Sequence, residues 1–134
     1  MKKTKYFEPY NKAGKCNLTQ NQGACAGVYI IYKDLKPVYV GYSASNLYKT
    51  MYRHFQNWND PTQRRVSYSN LKGIKCRVIF TTVKRAQILE EALILKLKPR
   101  DNENKLRLYS DKEREAVNII FEKSDIVELE NVPF

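Results

Sequence analysis

Read for its alternation of apolar and polar positions, the chain changes texture at Ala26. There Gly27-Val28-Tyr29-Ile30-Ile31-Tyr32 forms a β-branched and aromatic run that predicts a strand. The turn-forming Lys33-Asp34-Leu35-Lys36-Pro37 separates it from a second run, Val38-Tyr39-Val40-Gly41, so the two should pair as an antiparallel hairpin. Past Ser43, either Ser45 or Asn46 supplies a helix N-cap, and Leu47, Met51, Phe55 and Trp58 recur at helical spacing. That stripe predicts a helix packed on the hairpin, ended by Asn59-Asp60-Pro61. A polar stretch then leads to Cys76 through Val83, which reads as a third strand.

Residues 85–97 are apolar on most sides, as befits a helix clasped between the sheet and its neighbours, and Pro99 stops it. Lys105 to Tyr109 alternates briefly, and Ser110-Asp111-Lys112-Glu113 has the spacing of a capping box. It opens a helix that turns Val117, Ile120 and Phe121 inward, ahead of a last short strand from Ile126 to Leu129. The expected fold class is α+β: a small three-stranded antiparallel sheet flanked by helices, with a C-terminal helix and a short further strand. Residues 1–25, rich in Lys, Asn, Gln and Gly and poor in aliphatics, are expected to form an irregular basic arm. Residues 26–103 make the central domain, and 104–134 a helical extension packed on it.

Composition sharpens this picture. A chain of 134 residues fits one domain with a real core. Its 24 Lys and Arg against 14 Asp and Glu give a net charge of +10, which favours a polyanionic partner, nucleic acid first, because each neutralised phosphate releases counterions. Charge alone argues for binding and not for chemistry. Three cysteines, Cys16, Cys25 and Cys76, without a C-x-x-C pair, and a single histidine, His54, exclude a disulfide framework and a four-ligand zinc site. A reducing setting, cytoplasmic or nucleoid-associated, is expected. No apolar run approaches a membrane span, and the opening Met-Lys-Lys-Thr-Lys-Tyr-Phe lacks the apolar stretch of a secretory leader.

Candidate chemistry sits in the predicted core elements. Tyrosines on adjacent strands of a hairpin project from one face when the register allows, so Tyr29 and Tyr39 can bring two phenols to one spot. Tyr32 and Tyr42 read instead as ordinary strand formers. Glu90 stands in an otherwise apolar helix, where a carboxylate needs solvent, a partner or a cation. The adjacent Glu91 reads as a surface charge, and Asn102, following Pro99, is of turn-forming type. His54 lies at the margin of the helical stripe, a position that suits hydrogen-bonded packing.

The segment Gly27-Val28-Tyr29, followed after nine residues by Tyr39-Val40-Gly41, resembles the paired tripeptides of the GIY-YIG nucleases. Asn46-Leu47 and Arg53-His54-Phe55 are similar to that family's next helix. Glu90, Leu93-Ile94, Lys98-Pro99 and Asn102 resemble its second signature. Four ordered landmarks across roughly residues 26–103 are far more specific than one tripeptide pair.

The resemblance implies a metal-dependent endonuclease that hydrolyses phosphodiester bonds in DNA with Mg²⁺ or Mn²⁺, Glu90 being the single protein ligand. It implies Tyr29 as proton acceptor for the attacking water with Tyr39 beside it, Asn102 holding the site by hydrogen bonds, and His54 in the site. An unperturbed phenol, with a pKa near ~10, is a poor base at neutral pH, so a nearby cation must favour its ionised form or the phenol must only orient the water. The family places an arginine four residues before the helix histidine, where this chain has Thr50; relatives often carry lysine or serine where it has Tyr42. Arg53 is the nearest replacement, because a helical side chain leans back over the preceding turn. Lys49, Arg64 and Arg65 are further candidates for phosphate contact. The alternative reading is a catalytically impaired, GIY-YIG-like nucleic-acid-binding protein.

Overall fold

The computed structural model describes residues 1–56, 67–69 and 72–102, with the backbone of 126 and 127. Strand β1 is Lys2–Thr4, helix α1 Gln20–Gly23, β2 Gly27–Lys33, β3 Lys36–Ser43, α2 Leu47–Tyr52, β4 Ile74–Phe80, α3 Val83–Leu97 and β5 Ile126–Val127. The α+β class holds, and the predicted hairpin and third strand are all present. The sheet is wider than the three strands expected: its order is β3-β2-β4-β1-β5, antiparallel except for the parallel β1 and β5 pair. Part of the extra width, β5, begins where a last short strand is expected, and the rest, β1, comes from a segment expected to be irregular. Lys2 and Lys3 pair with Phe80 and Ile79, and Phe7 bridges Cys76 through two backbone hydrogen bonds. Backbone groups left open along β4 are satisfied by whatever chain lies beside them, which is how so polar a segment becomes a strand.

The hairpin is closed by Asp34 and Leu35, both with positive φ (51° and 64°), the backbone of a two-residue turn whose twist suits paired strands. Between the pairs Ile31↔Tyr39 and Tyr32↔Pro37, β3 carries one extra residue, Val38. This bulge places Val38 and Tyr39 against the same core. Beyond it, strict alternation sets Tyr39 and Gly41 opposite Ile31 and Tyr29.

Each face of the sheet has its own core. Tyr29, Ile31, Cys76 and Val78 pack with Leu47 and Met51 of α2, while Val28, Ile30, Val40 and Ile79 pack with Ala86, Leu89, Leu93 and Ile94 of α3. Helix α2 starts at Asn46, whose side chain accepts the Lys49 N–H. It is shorter than its stripe predicts, ending at Tyr52 and tightening to a 3₁₀ turn over Arg53–Phe55. The third strand stops before Thr82, because that hydroxyl accepts the Arg85 N–H and caps α3 instead. Helix α3 closes on Lys98 in the left-handed conformation, and Arg100–Asn102 form a 3₁₀ turn after Pro99.

Among the described residues no helix is long and apolar enough to cross a membrane. Trp58, the 59–61 stop, Arg64, Arg65, the 105–109 run, the helix with Val117, Ile120 and Phe121, and Leu129 lie outside the described residues.

Candidate active site

Beside β3, the outermost strand of the sheet, a cleft of about 180 Å³ is lined by Tyr29, Tyr39, Gly41, Tyr42, Thr50, Arg53, His54 and Glu90. Strand, helix and 3₁₀ turn each deliver part of it. Tyr29 projects from β2 across Gly41, its neighbour on β3; a Cβ at residue 41 would collide with the Tyr29 hydroxyl and ring. Glycine is thus required by close approach, and its absent side chain lets the phenol reach the edge of the sheet. Tyr39, two residues along, lies nearly parallel to Tyr29 with ring centroids 6.0 Å apart. The two phenols do share a face, as the strand spacing predicts.

His54 comes from the 3₁₀ turn. It is buried, its Nε2 is 2.9 Å from Tyr29 Oη, and its ring lies 4.5 Å from that of Tyr39, centroid to centroid. The histidine therefore belongs to the cleft and not to a separate packing position. Behind it stands Tyr68, whose backbone N–H donates to the His54 carbonyl and whose hydroxyl donates to Asp101 Oδ2 at 2.6 Å. Nothing in the sequence singles out Tyr68: it follows a polar stretch without periodicity, and only folding places it under the imidazole.

Glu90, on α3, is 3% exposed and meets the phenols at the cleft. Burial, the adjacent Tyr39 and the Glu90 carboxylate all push the Tyr29 phenol well above its ordinary pKa, because each disfavours the phenolate. Tyr29 by itself is a proton donor at neutral pH. Asp101 is different: burial raises its pKa, but hydrogen bonds from Arg100 and Tyr68 outweigh that and hold it below the usual carboxylate range.

Thr50 lines the cleft where a cation is expected, and its hydroxyl is engaged with Ser43 Oγ and the Asn46 carbonyl, each at 3.0 Å. Arg53, exposed, lines the same cleft one turn on. Lys49 is exposed on α2 but does not line the cleft. Tyr42, read from sequence as a strand former, does line it, and its hydroxyl accepts a 3.4 Å hydrogen bond from Gln87 Nε2. Tyr32 faces the α3 core, edge-on to Tyr6.

Asn102 does not line the cleft; it holds the strand that does. Its Oδ1 accepts the Val40 N–H at 2.7 Å, and its Nδ2 donates to the Val40 carbonyl at 3.0 Å. A buried carboxamide thereby copies one rung of a β-ladder on the outer edge of β3, between Tyr39 and Gly41. Leaving such a buried peptide unsatisfied costs about 1–3 kcal/mol.

No group of three or more His, Cys, Asp or Glu residues able to cage a metal occurs among the described residues. The donor set, one buried carboxylate facing a polar cleft, fits a divalent cation that keeps most of its water, as Mg²⁺ does when it binds through one or two carboxylates and substrate phosphates.

Comparison with curated proteins and with solved structures gives no significant match. Against known families the outcome is definite: residues 25–107 match the GIY-YIG catalytic domain, and by that match over more than half its length the chain belongs to the GIY-YIG family.

Proposed function

We propose that this protein is an endonuclease that hydrolyses phosphodiester bonds in DNA with the help of Mg²⁺ or Mn²⁺. The observation that carries the reading is that two tyrosines, a histidine, an arginine and one buried glutamate line a single cleft. Glu90 would hold the cation, which when bound supplies positive charge to the leaving 3′ oxygen.

The remaining work falls to side chains. Arg53 contacts the scissile phosphate and offsets charge as it builds in the transition state. Tyr29 and Tyr39 hydrogen-bond the attacking water and aim it in line with the departing oxygen. The water's proton passes to Tyr29 Oη, and the proton that Tyr29 carried passes to His54 Nε2, 2.9 Å away. This relay suits a phenol whose ionisation is disfavoured, because no free phenolate has to accumulate. Asn102 fixes the β3 backbone on which Tyr39 rides.

One observation favours a second reading. Thr50 brings no charge, and a family member without its arginine could bind DNA and leave it intact. Losing one such charge contact costs on the order of 10²-fold in rate unless another group replaces it. Arg53 in the same cleft favours the active enzyme. The deciding experiment incubates supercoiled and branched DNA with the protein in Mg²⁺ and in EDTA. Nicking that appears only with the cation supports the endonuclease. Binding without cleavage of either substrate would establish the second reading.

A further inference from the structure

A second groove, of about 390 Å³, opens at the far end of β3 from the cleft. Lys33 and Lys36 flank the hairpin turn, and Lys98 and Arg100 follow the end of α3; Asp34 is the one acidic residue among its walls. Arg100 already pairs with Asp101 at 3.1 Å, so the charge on offer is that of the three lysines. No ion pair or hydrogen bond engages the ammonium of Lys33, Lys36 or Lys98 among the described residues.

The backbone here is unusual at three points, and the hairpin turn accounts for two of them, which leaves the strain at Lys98. Asp34, Leu35 and Lys98 are the three non-glycine residues with positive φ among the described residues, and all stand at this groove or its turn. A helix C-terminus favours a cation, which accounts for charge near Lys98. It does not account for a side chain where left-handed backbone favours glycine, nor for Lys33 and Lys36 beside it. Strain held in this way gathers where a side chain has work to do.

Groove and cleft share one strand. Val38 lines the groove and its neighbour Tyr39 the cleft, and the step from Pro37 to Gly41 spans roughly 13 Å of strand. At about 3.4 Å of duplex axis per nucleotide, that is a few nucleotides. We infer that the groove takes the sugar-phosphate backbone of the DNA a few nucleotides from the phosphate in the cleft, with Lys33, Lys36 and Lys98 as its phosphate contacts. The inference rests on the nuclease reading for the placement of the strand.

Its test is independent of cleavage. Binding of a short fluorescent DNA duplex is measured by anisotropy in EDTA, between about 50 and 200 mM salt. The triple variant Lys33→Ala, Lys36→Ala, Lys98→Gly is compared with the parent. The expected result is affinity weakened on the order of 10-fold or more, and a slope of log K against log salt shallower by about 2 to 3. Lys98→Gly alone should melt at a higher temperature than the parent while binding DNA more weakly, a combination that a purely structural lysine would not give. Parent affinity and slope in the triple variant overturn the inference, as does a parent that binds no DNA. A parent that binds DNA and cuts nothing, with a triple variant weakened as described, would sustain the groove and overturn the nuclease reading alone.

Discussion

Tyr29 and His54 are joined by a 2.9 Å contact between Oη and Nε2, buried on both sides and reached from a strand and a 3₁₀ turn 25 residues apart. If the imidazole receives the phenol's proton, His54→Ala should lower kcat by about 10²- to 10⁴-fold, the usual contribution of a positioned proton acceptor. KM for DNA should move far less. An unchanged kcat in single-turnover assays of a folded variant would reduce the histidine to packing.

Arg53 shares the cleft with Thr50 and is proposed to bring the charge that Thr50 lacks. Arg53→Ala is therefore expected to cost on the order of 10²-fold or more in kcat. Arg53→Lys should recover only part, since an ammonium keeps charge but not the planar fork. Turnover equal to the parent in Arg53→Ala would remove this side chain from the mechanism.

Asn102 satisfies both polar groups of the Val40 peptide. Asn102→Asp keeps an acceptor for the N–H but sets a carboxylate oxygen against the carbonyl, so it should destabilise the fold by about 1–3 kcal/mol in urea titration. Its loss of activity should track loss of folded protein. A variant as stable as the parent would mean that the edge of β3 is held by something else.

Much of this architecture is legible in the residues, for identifiable reasons. The hairpin and α3 announce themselves because burial on one or both faces demands apolar runs of recognisable period. Tyr29 and Tyr39 are readable as a pair because alternation on strands is strict, although the bulge at Val38 that sets their register is not. Strand β1 hides in a lysine-rich segment whose place is fixed by open backbone groups on β4, not by its own pattern. The early end of α2 is equally silent, since Leu47, Met51 and Phe55 keep helical spacing through the 3₁₀ turn. Glu90 is visible as an oddity in an apolar helix, whereas Tyr68 reaches His54 only through tertiary packing. The basic groove joins two loops distant in sequence, which no local reading connects.

Alkaline lability follows from the buried phenols. Burial holds Tyr29, Tyr32, Tyr52 and Tyr68 above their ordinary pKa. The unfolded chain releases these protons near pH ~10 and the folded chain only higher. Their contribution to stability is thus complete below pH ~10 and is lost as the pH rises toward the folded values. Urea midpoints measured from about pH 8 to 11 should fall steeply over the last unit. A flat profile across that range would contradict the burial of these hydroxyls.

Whether one buried carboxylate on α3 organises the chemistry of the cleft is decided by Glu90→Gln. The substitution preserves shape and removes the charge that would hold the cation. Single-turnover cleavage of DNA across a Mg²⁺ titration should show a loss on the order of 10²-fold or more at every concentration, with DNA affinity in EDTA largely retained. Cleavage by Glu90→Gln at the parent rate would show that the Glu90 carboxylate does not hold the cation.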